Sequence, residues 1–379
     1  MADRVLITGG AGFIGSHTCD ALLSRGFEVR VLDSLQPRVH PCGHPGYLSS
    51  HVDFHQGDVR DAAAWQRALE GIRVVFHLAA YQDYMPDFST FLHVNAVSTA
   101  LLYELIVEKK LPVEKIILAS SQSVYGEGRY VCEAHGAFSP GPRALGLLER
   151  GQWEHLCPNC GRMTRPILLD ESSAHPQTAY GISKFAAEQL GLQLGRCYGI
   201  PTVALRYSII QGPRNSLHNA YSGVCRTFTK RIFNGKPPVI YEDGQQLRDY
   251  VHVNDVVAAH LLLLESSVGD FGAFNVGGQR PVSVLEFAGI VARQCGSELS
   301  PALNSEFRVG DPRHTVSDSS RLRHLGWTPQ HSVEDIVADY VQWVREQGKV
   351  SDNSDAAAFD MQHHGVLRRA MLPVGAHAG

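Results

Sequence analysis

A chain of 379 residues is long enough to bury a large core and leaves room for one to three domains. Its 34 basic and 38 acidic residues nearly balance, giving a formal charge of −4, so nothing electrostatic points to nucleic acid or to an anionic membrane as partner. No apolar run in the sequence approaches the roughly 20 residues of a membrane span, and the N-terminus enters a strand with no signal-peptide pattern. A cytoplasmic setting is therefore expected. There, eight cysteines are read as thiols or metal ligands rather than as a disulfide framework.

From the N-terminus, short Val/Ile/Leu-rich runs alternate with amphipathic stretches. The runs are RVLIT (4–8), EVRVLD (28–33), VDFHQGD (52–58), RVVFHLAA (73–80) and EKIILASS (114–121). FIGSHTCDALLSRG and the long STFLHVNAVSTALLYELIVEKK carry helical periodicity between them. Near-continuous apolar strands separated by helices predict a parallel sheet covered on both faces. The expected fold is α/β: a Rossmann-type doubly wound sheet over 1–208, followed by a smaller α/β C-terminal substrate lobe over 209–348. A return of the chain between the lobes is left open. Helices are expected in NAYSGVCRTFTKRIFNG and VNDVVAAHLLLLESS, while the stretch 349–379 lacks sustained periodicity and is expected to be a mobile tail.

The first turn, TGGAGFIG, places glycines between a strand and a helix start. Tight turning and close approach of a pyrophosphate to backbone both require residues without side chains. Asp33, eighteen residues beyond Gly15, ends the second strand, where a carboxylate accepts from ribose hydroxyls and repels a 2′-phosphate. NAD is thus preferred over NADP. Further on, YGISK sets Tyr180 and Lys184 one helical turn apart on a helix starting near Thr178. The lysine cation and a positive nicotinamide both favour the phenolate that a base requires. Ser121, closing a strand, is placed to hydrogen-bond the same substrate hydroxyl.

Between Tyr125 and Tyr180 lies an insertion, taken as 127–172, with Cys132-x-x-His135 and Cys157-x-x-Cys160. Two such pairs match a tetrahedral Cys3His zinc site, and four protein ligands would make it structural rather than catalytic. Such an ion would hold down a segment poor in apolar residues.

Taken together, TGGAGFIG, GDVRD, HLAA, VNAVST, SSQSVYG, YGISK, EDGQQLRDYVHVND and VGDPRHTVSD resemble the extended short-chain dehydrogenase/reductase family, in its nucleotide-sugar epimerase/dehydratase branch. The insertion resembles that of dTDP-L-rhamnose 4-epimerase-like members. The resemblance implies a tightly bound NAD along Gly9, Gly12, Phe13, Ile14, Asp33, Asp58, Val59, Leu78, Ala79, Ala80, Asn95, Tyr180, Lys184 and Tyr207. It further implies a catalytic set of Ser121, Tyr180 and Lys184. A nucleotide sugar would be met by Ser121, Asn219, Arg248, Arg308 and Asp311, the two arginines clamping the diphosphate. Helices near 88–109 and 179–198 imply a homodimer.

Dehydratases of this kind carry Asp-Glu after the catalytic hydroxyl residue, and decarboxylating members a Glu; here Gln122 and Ser123 stand instead, and neither is an acid or base near neutral pH. The expected reaction is 4-epimerisation of a dTDP- or UDP-sugar through a transient 4-keto sugar. The alternatives are a dehydratase, decarboxylase or 4-ketoreductase, or a non-catalytic dinucleotide-sensing module. Ile209 replaces an Asn that many relatives use at the substrate phosphate.

Overall fold

The computed structural model describes residues 4–219 and 223–371. Seven strands form one parallel sheet: β1 (Arg4–Thr8), β2 (Glu28–Asp33), β3 (Asp53–Gln56), β4 (Val74–His77), β5 (Lys115–Ser121), β6 (Thr202–Tyr207) and β7 (Ala273–Val276). Their spatial order is β7-β6-β5-β4-β1-β2-β3. Because successive side chains point to opposite faces, Val5 and Ile7 enter one apolar core and Leu6 the other, all fully buried. This is why the strands read as unbroken apolar runs. The order reverses between β1 and β4, and the carboxyl ends of those strands flank the crevice where open α/β sheets bind ligands.

After β6 the chain enters a second unit. Ile209–Gln211 pairs in parallel with Leu247–His252, which pairs antiparallel with Pro281–Ser283. The helices Val224–Phe233, Val284–Cys295 and Val333–Glu346 bury Phe228, Phe287, Ile336 and Tyr340 in a core of their own. The chain does return: the helix Val253–Glu265 and β7 add Val256, Leu263 and Val276 to the first core. Leu322 and Trp327 join the first core again, so the chain crosses between the lobes repeatedly rather than at a single cut.

Three expectations are corrected. Part of the expected tail carries regular structure, over 354–369. Ser354–His363 is a helix burying Ala357 and Met361, and Leu367–Arg369 pairs antiparallel with Glu306–Arg308. Lys236 and Arg231 hold Asp355, and Lys230 Nζ donates to Asn353 Oδ1 at 2.6 Å. These anchors are long-range ion pairs and isolated apolar contacts, which leave no periodicity to read. Residues 372–379, and 220–222 of the NAYSGV segment, lie outside the described residues. Second, the 88–109 helix is not uniform: Phe88–Phe91 and Ser98–Lys109 are α-helical, and Leu92–Val97 between them is a π-helical turn. Third, this 22-residue run is long and apolar enough to cross a membrane by length and composition alone, contrary to the sequence reading. Half of it is buried inside the fold, packed against the helix Ala179–Tyr198.

That second helix is fixed to the sheet by a buried ion pair. Arg206 on β6 gives Nε and Nη2 to Glu188 at 2.9 and 2.6 Å, and Ser120 Oγ on β5 donates to the same carboxylate at 2.7 Å. Arg206→Leu leaves that carboxylate uncompensated in the core and is expected to lower the free energy of unfolding by about 3–5 kcal/mol. Urea denaturation measures it; an unaltered midpoint would show that the pair is not what holds the helix.

Candidate active site

Four elements converge at the carboxyl end of β5. Ser121 closes the strand, and its Oγ accepts from Ser123 N at 3.2 Å, starting the turn Gln122–Tyr125. Thr178 caps the Ala179–Tyr198 helix by accepting from Gly181 N at 3.0 Å, so Tyr180 sits in its first turn. The helix start can lie against that turn only because residue 181 is glycine. A Cβ there would stand 2.4 Å from the Ser123 carbonyl oxygen.

Burial pushes the Tyr180 phenol up to about 12; a hydrogen bond with Ser121 pulls it back down and the nearby Tyr84 pushes it further up. One turn on, burial pulls the Lys184 ammonium down to about 8, opposed by Glu188. Without ligand, the pocket disfavours charge on both groups. A bound cation would tip the phenol towards phenolate.

Asn95 occupies the π-helical turn, a feature that often marks functional sites. Its Oδ1 accepts from Tyr81 N at 2.8 Å, and its Nδ2 donates to Tyr81 O and to Ser183 Oγ at 3.0 and 2.9 Å. Ser183 Oγ in turn donates to Tyr180 O at 2.8 Å. Asn95 therefore locks the loop after β4 to the tyrosine-bearing helix.

The expected dinucleotide residues lie along the carboxyl edge of β1–β4. Gly9 has φ +69°, and a Cβ on it would lie 2.9 Å from Ala79 Cα; one on Gly15 would lie 2.3 Å from Gly9 O. Gly12 caps the helix Phe13–Ser24 without a side-chain bond, and the first-turn amides of Phe13 and Ile14 have no intrahelical acceptor. Asp33 accepts from Ala11 N at 3.0 Å and Leu35 N at 2.8 Å, which aims its carboxylate beside this cradle. A pyrophosphate and ribose fit these donors and this carboxylate. Asp58 is held by Arg60, whose guanidinium keeps its carboxyl below the usual range. Val59 and Leu78 are buried, Ala79 N donates to Thr8 Oγ1 at 3.1 Å, and Ala80 is exposed. Tyr207 is committed elsewhere: its ring lies in the core and its hydroxyl meets His260 Nε2 at 2.6 Å.

On the other lobe, Arg308 stands between two rings, 4.3 Å from the Tyr84 centroid and 4.9 Å from that of Tyr241. Its Nε is buried with no partner among the described residues. Arg248 is spent on carbonyls, donating to Leu247 O, Arg313 O and Pro312 O at 3.0, 2.8 and 2.8 Å. The Asp311 carbonyl accepts from Arg143 Nη2 at 2.5 Å. Asn219 lines a small hollow with Arg38, His218 and Asn353. Gln122 Oε1 and Ser123 Oγ are buried without partners among the described residues, and Ile209 packs against the second core.

The insertion forms a three-stranded sheet of Gly136–Phe138, Arg129–Cys132 and Arg165–Ile167. The ligand atoms of Cys132, His135, Cys157 and Cys160 lie within 4.8 Å of one another. Tyr84, Tyr241 and Ser183 were not anticipated from the sequence. The DYM run carrying Tyr84 has no periodicity that would single it out.

The family description "NAD dependent epimerase/dehydratase family" matches residues 5–142 and 159–277. The chain belongs to this family. The unmatched stretch between those ranges falls inside the insertion. Among family relatives, the chain is 32% identical over 351 residues to a dTDP-L-rhamnose 4-epimerase of Burkholderia thailandensis, covering 91% of this chain and 95% of the relative. It is similar to the crystal structure of the Thermotoga maritima UDP-glucose 4-epimerase with UDP-glucose, with TM-score 0.75, 28% identity and coverage of 91% and 100%. The UDP-glucuronic acid 4-epimerase of Bacillus cereus in complex with NAD gives TM-score 0.72, 25% identity and coverage of 91% and 100%.

Proposed function

We propose that the protein is an NAD-dependent nucleotide-sugar 4-epimerase acting on a dTDP- or UDP-linked hexose. The observation that carries the reading is the convergence of Ser121, Tyr180 and, one turn on, a buried Lys184, the serine hydroxyl near enough to lower the phenol's pKa, with amide and hydroxyl side chains at 122 and 123. When bound, NAD supplies a reversible hydride acceptor. Gly9, Gly12, Phe13, Ile14 and Asp33 would hold it, with Asp58, Val59, Leu78, Ala79 and Ala80 along its path. Tyr180 takes the proton of the sugar hydroxyl and later restores it, Ser121 orients that hydroxyl, and Lys184 favours the phenolate. The partnerless Gln122 Oε1 and Ser123 Oγ offer hydrogen bonds to sugar hydroxyls but no acid or base, so elimination and decarboxylation lack their catalyst. Arg308, with Asn219, Arg248 and Asp311, supports a diphosphate and nucleoside site, although Arg248 acts there chiefly through the carbonyls it holds.

Incubation with a panel of dTDP- and UDP-sugars, resolved by chromatography, is expected to interconvert one epimer pair without net absorbance change at 340 nm. Tyr180→Phe should retain cofactor and lose about 10²–10⁴ of the rate. Net reduced cofactor, or loss of water or carbon dioxide from the sugar, would assign a dehydrogenase, dehydratase or decarboxylase instead.

A structural zinc ion at Cys132, His135, Cys157 and Cys160 is part of this reading. Tetrahedral bonds of about 2.3 Å require ligand atoms about 3.8 Å apart. The Sγ atoms of Cys132 and Cys160 are 3.8 Å apart, and His135 Nδ1 lies 3.6 and 3.4 Å from those of Cys132 and Cys157. Elemental analysis should find about one zinc per chain, sharply reduced when Cys157 and Cys160 are both changed to Ser. Metal-free wild-type protein ends this proposal.

None of the eight cysteines is disulfide-bonded, three of them being in the proposed zinc site, and a reducing, cytoplasmic setting is part of this reading. Phe88, Leu92 and Val97 on one helical run, and Ile182 and Tyr198 on the other, are exposed apolar side chains that support a homodimer across these helices. Light scattering should report twice the chain mass, falling to one chain in Val97→Glu with Ile182→Glu; a monomeric wild type refutes it.

A further inference from the structure

Arg308 leaves the strand Glu306–Arg308 with its guanidinium carbon over two rings, 4.3 Å from the Tyr84 centroid and 4.9 Å from that of Tyr241. Its Nε has no partner among the described residues, so an N–H remains for an anion, and contact with the two rings fixes where it lies. The two rings come from different lobes. Tyr241 follows the strand Val239–Ile240, whereas Tyr84 lies on the loop between β4 and the Phe88–Phe91 helix.

That loop is itself anchored. Asp83 Oδ1 accepts from Tyr84 N at 2.7 Å and Met85 N at 3.2 Å, and Arg38 pairs with the other carboxylate oxygen. Upstream, Asn95 grips both backbone groups of Tyr81 while also bonding Ser183, one turn beyond Tyr180. A continuous chain of contacts thus runs from the tyrosine-bearing helix through Asn95 and the loop to Tyr84, and from Tyr84 to Arg308.

We propose that Tyr84 is a positioning residue that fixes Arg308 from the opposite lobe and so sets the distance between the diphosphate of the substrate and the reacting phenol of Tyr180. This deepens the reading of Arg308 as an anion clamp and rests on it. The closeness of Tyr84 to Tyr180, enough for the former to raise the latter's pKa, agrees with a place between the two ends of one ligand.

Calorimetric titration with uridine diphosphate and thymidine diphosphate tests it, with cofactor content and thermal midpoint confirming that each variant is folded. For whichever nucleotide the wild type binds, Tyr84→Ala should weaken affinity about five- to thirty-fold, and Tyr84→Phe, which keeps the ring, by no more than about twofold. In an Arg308→Ala background, Tyr84→Ala should change affinity by less than about twofold, since the cation it holds is gone. In steady state, Tyr84→Ala should raise KM more than it lowers kcat, and Tyr84→Phe should move the pH limb governed by Tyr180 downwards. Wild-type affinity in Tyr84→Ala, or losses that add fully with Arg308→Ala, overturn the proposal while leaving the clamp intact. A wild type that binds neither nucleotide and converts no sugar removes the clamp reading, and this inference with it. Tyr84→Leu repeats the test should the alanine variant not fold.

Discussion

The Ala179–Tyr198 helix meets the sheet through charge as well as apolar packing, and the reacting geometry depends on that choice. Glu188 and Arg206 are both nearly inaccessible to water, so each would be costly alone. The remaining donors of Arg206 reach Tyr125 OH at 3.0 Å and Glu171 O at 2.8 Å. Tyr125 OH donates to Asn275 Oδ1 at 2.6 Å, and Asn275 N donates to Glu171 Oε1 at 2.9 Å. Every polar atom finds a partner on a different element: β5, β6, β7, the turn after β5 and the exit of the insertion. An apolar contact of equal area would tolerate a slide along the helix axis. A bidentate arginine does not, and Tyr180 and Lys184 are thereby fixed in register with Ser121.

The same logic docks the insertion. Arg143 pairs with Glu127 and Glu242 at 3.3 and 2.9 Å, and Arg313, fully buried, pairs with Glu154, Glu242 and Asp243 at 2.5, 2.9 and 2.7 Å. His155 meets Glu127, and His314 meets Glu154. The insertion has only a small apolar contact with the second lobe, in which Leu148 and Trp153 meet Phe307 and Ala370. With so little hydrophobic area, position must come from directional bonds. Those to Glu154 come from Arg313 and His314, in the segment that also supplies the carbonyls that hold Arg248, while Arg143 reaches Glu242. The arginine network therefore makes the insertion a strut beside the second lobe, not a loose excursion.

What could be read in the sequence was what is local. The glycine turn, the i, i+4 spacing of Tyr180 and Lys184, and the paired x₂ spacings of the cysteines and histidine each encode geometry within a few residues, and the structure places them as such spacing requires. Arg206 and Glu188 read as ordinary strand and helix residues, because their partnership spans the fold. The π-helical turn at Leu92–Val97 is hidden for a related reason: nothing in LHVNAV breaks helical periodicity, and the bulge is stabilised by Asn95 bonding to Tyr81 and Ser183. The tail was misread because its anchors, Asp355 on Lys236 and Met361 in the core, are single contacts with distant partners. Arg248 stands out within EDGQQLRDYVHVND, but its commitment to backbone carbonyls cannot be read there.

The two ends of the proposed substrate site are built on opposite principles, and the contrast bears on the reaction. At the anion end, Arg308 lies against two tyrosine rings, one from each lobe. At the sugar end, Gln122 and Ser123 present neutral oxygens without partners among the described residues. Epimerisation demands this asymmetry: a keto sugar must turn over to offer its other face while its nucleotide stays bound. A rigid clamp on the diphosphate and an undemanding wall around the ring allow rotation about the linkage between them without loss of the intermediate to solvent. A site that gripped the pyranose through charged bidentate contacts would bind it more tightly and hold it to one face, favouring net oxidation or reduction over interconversion.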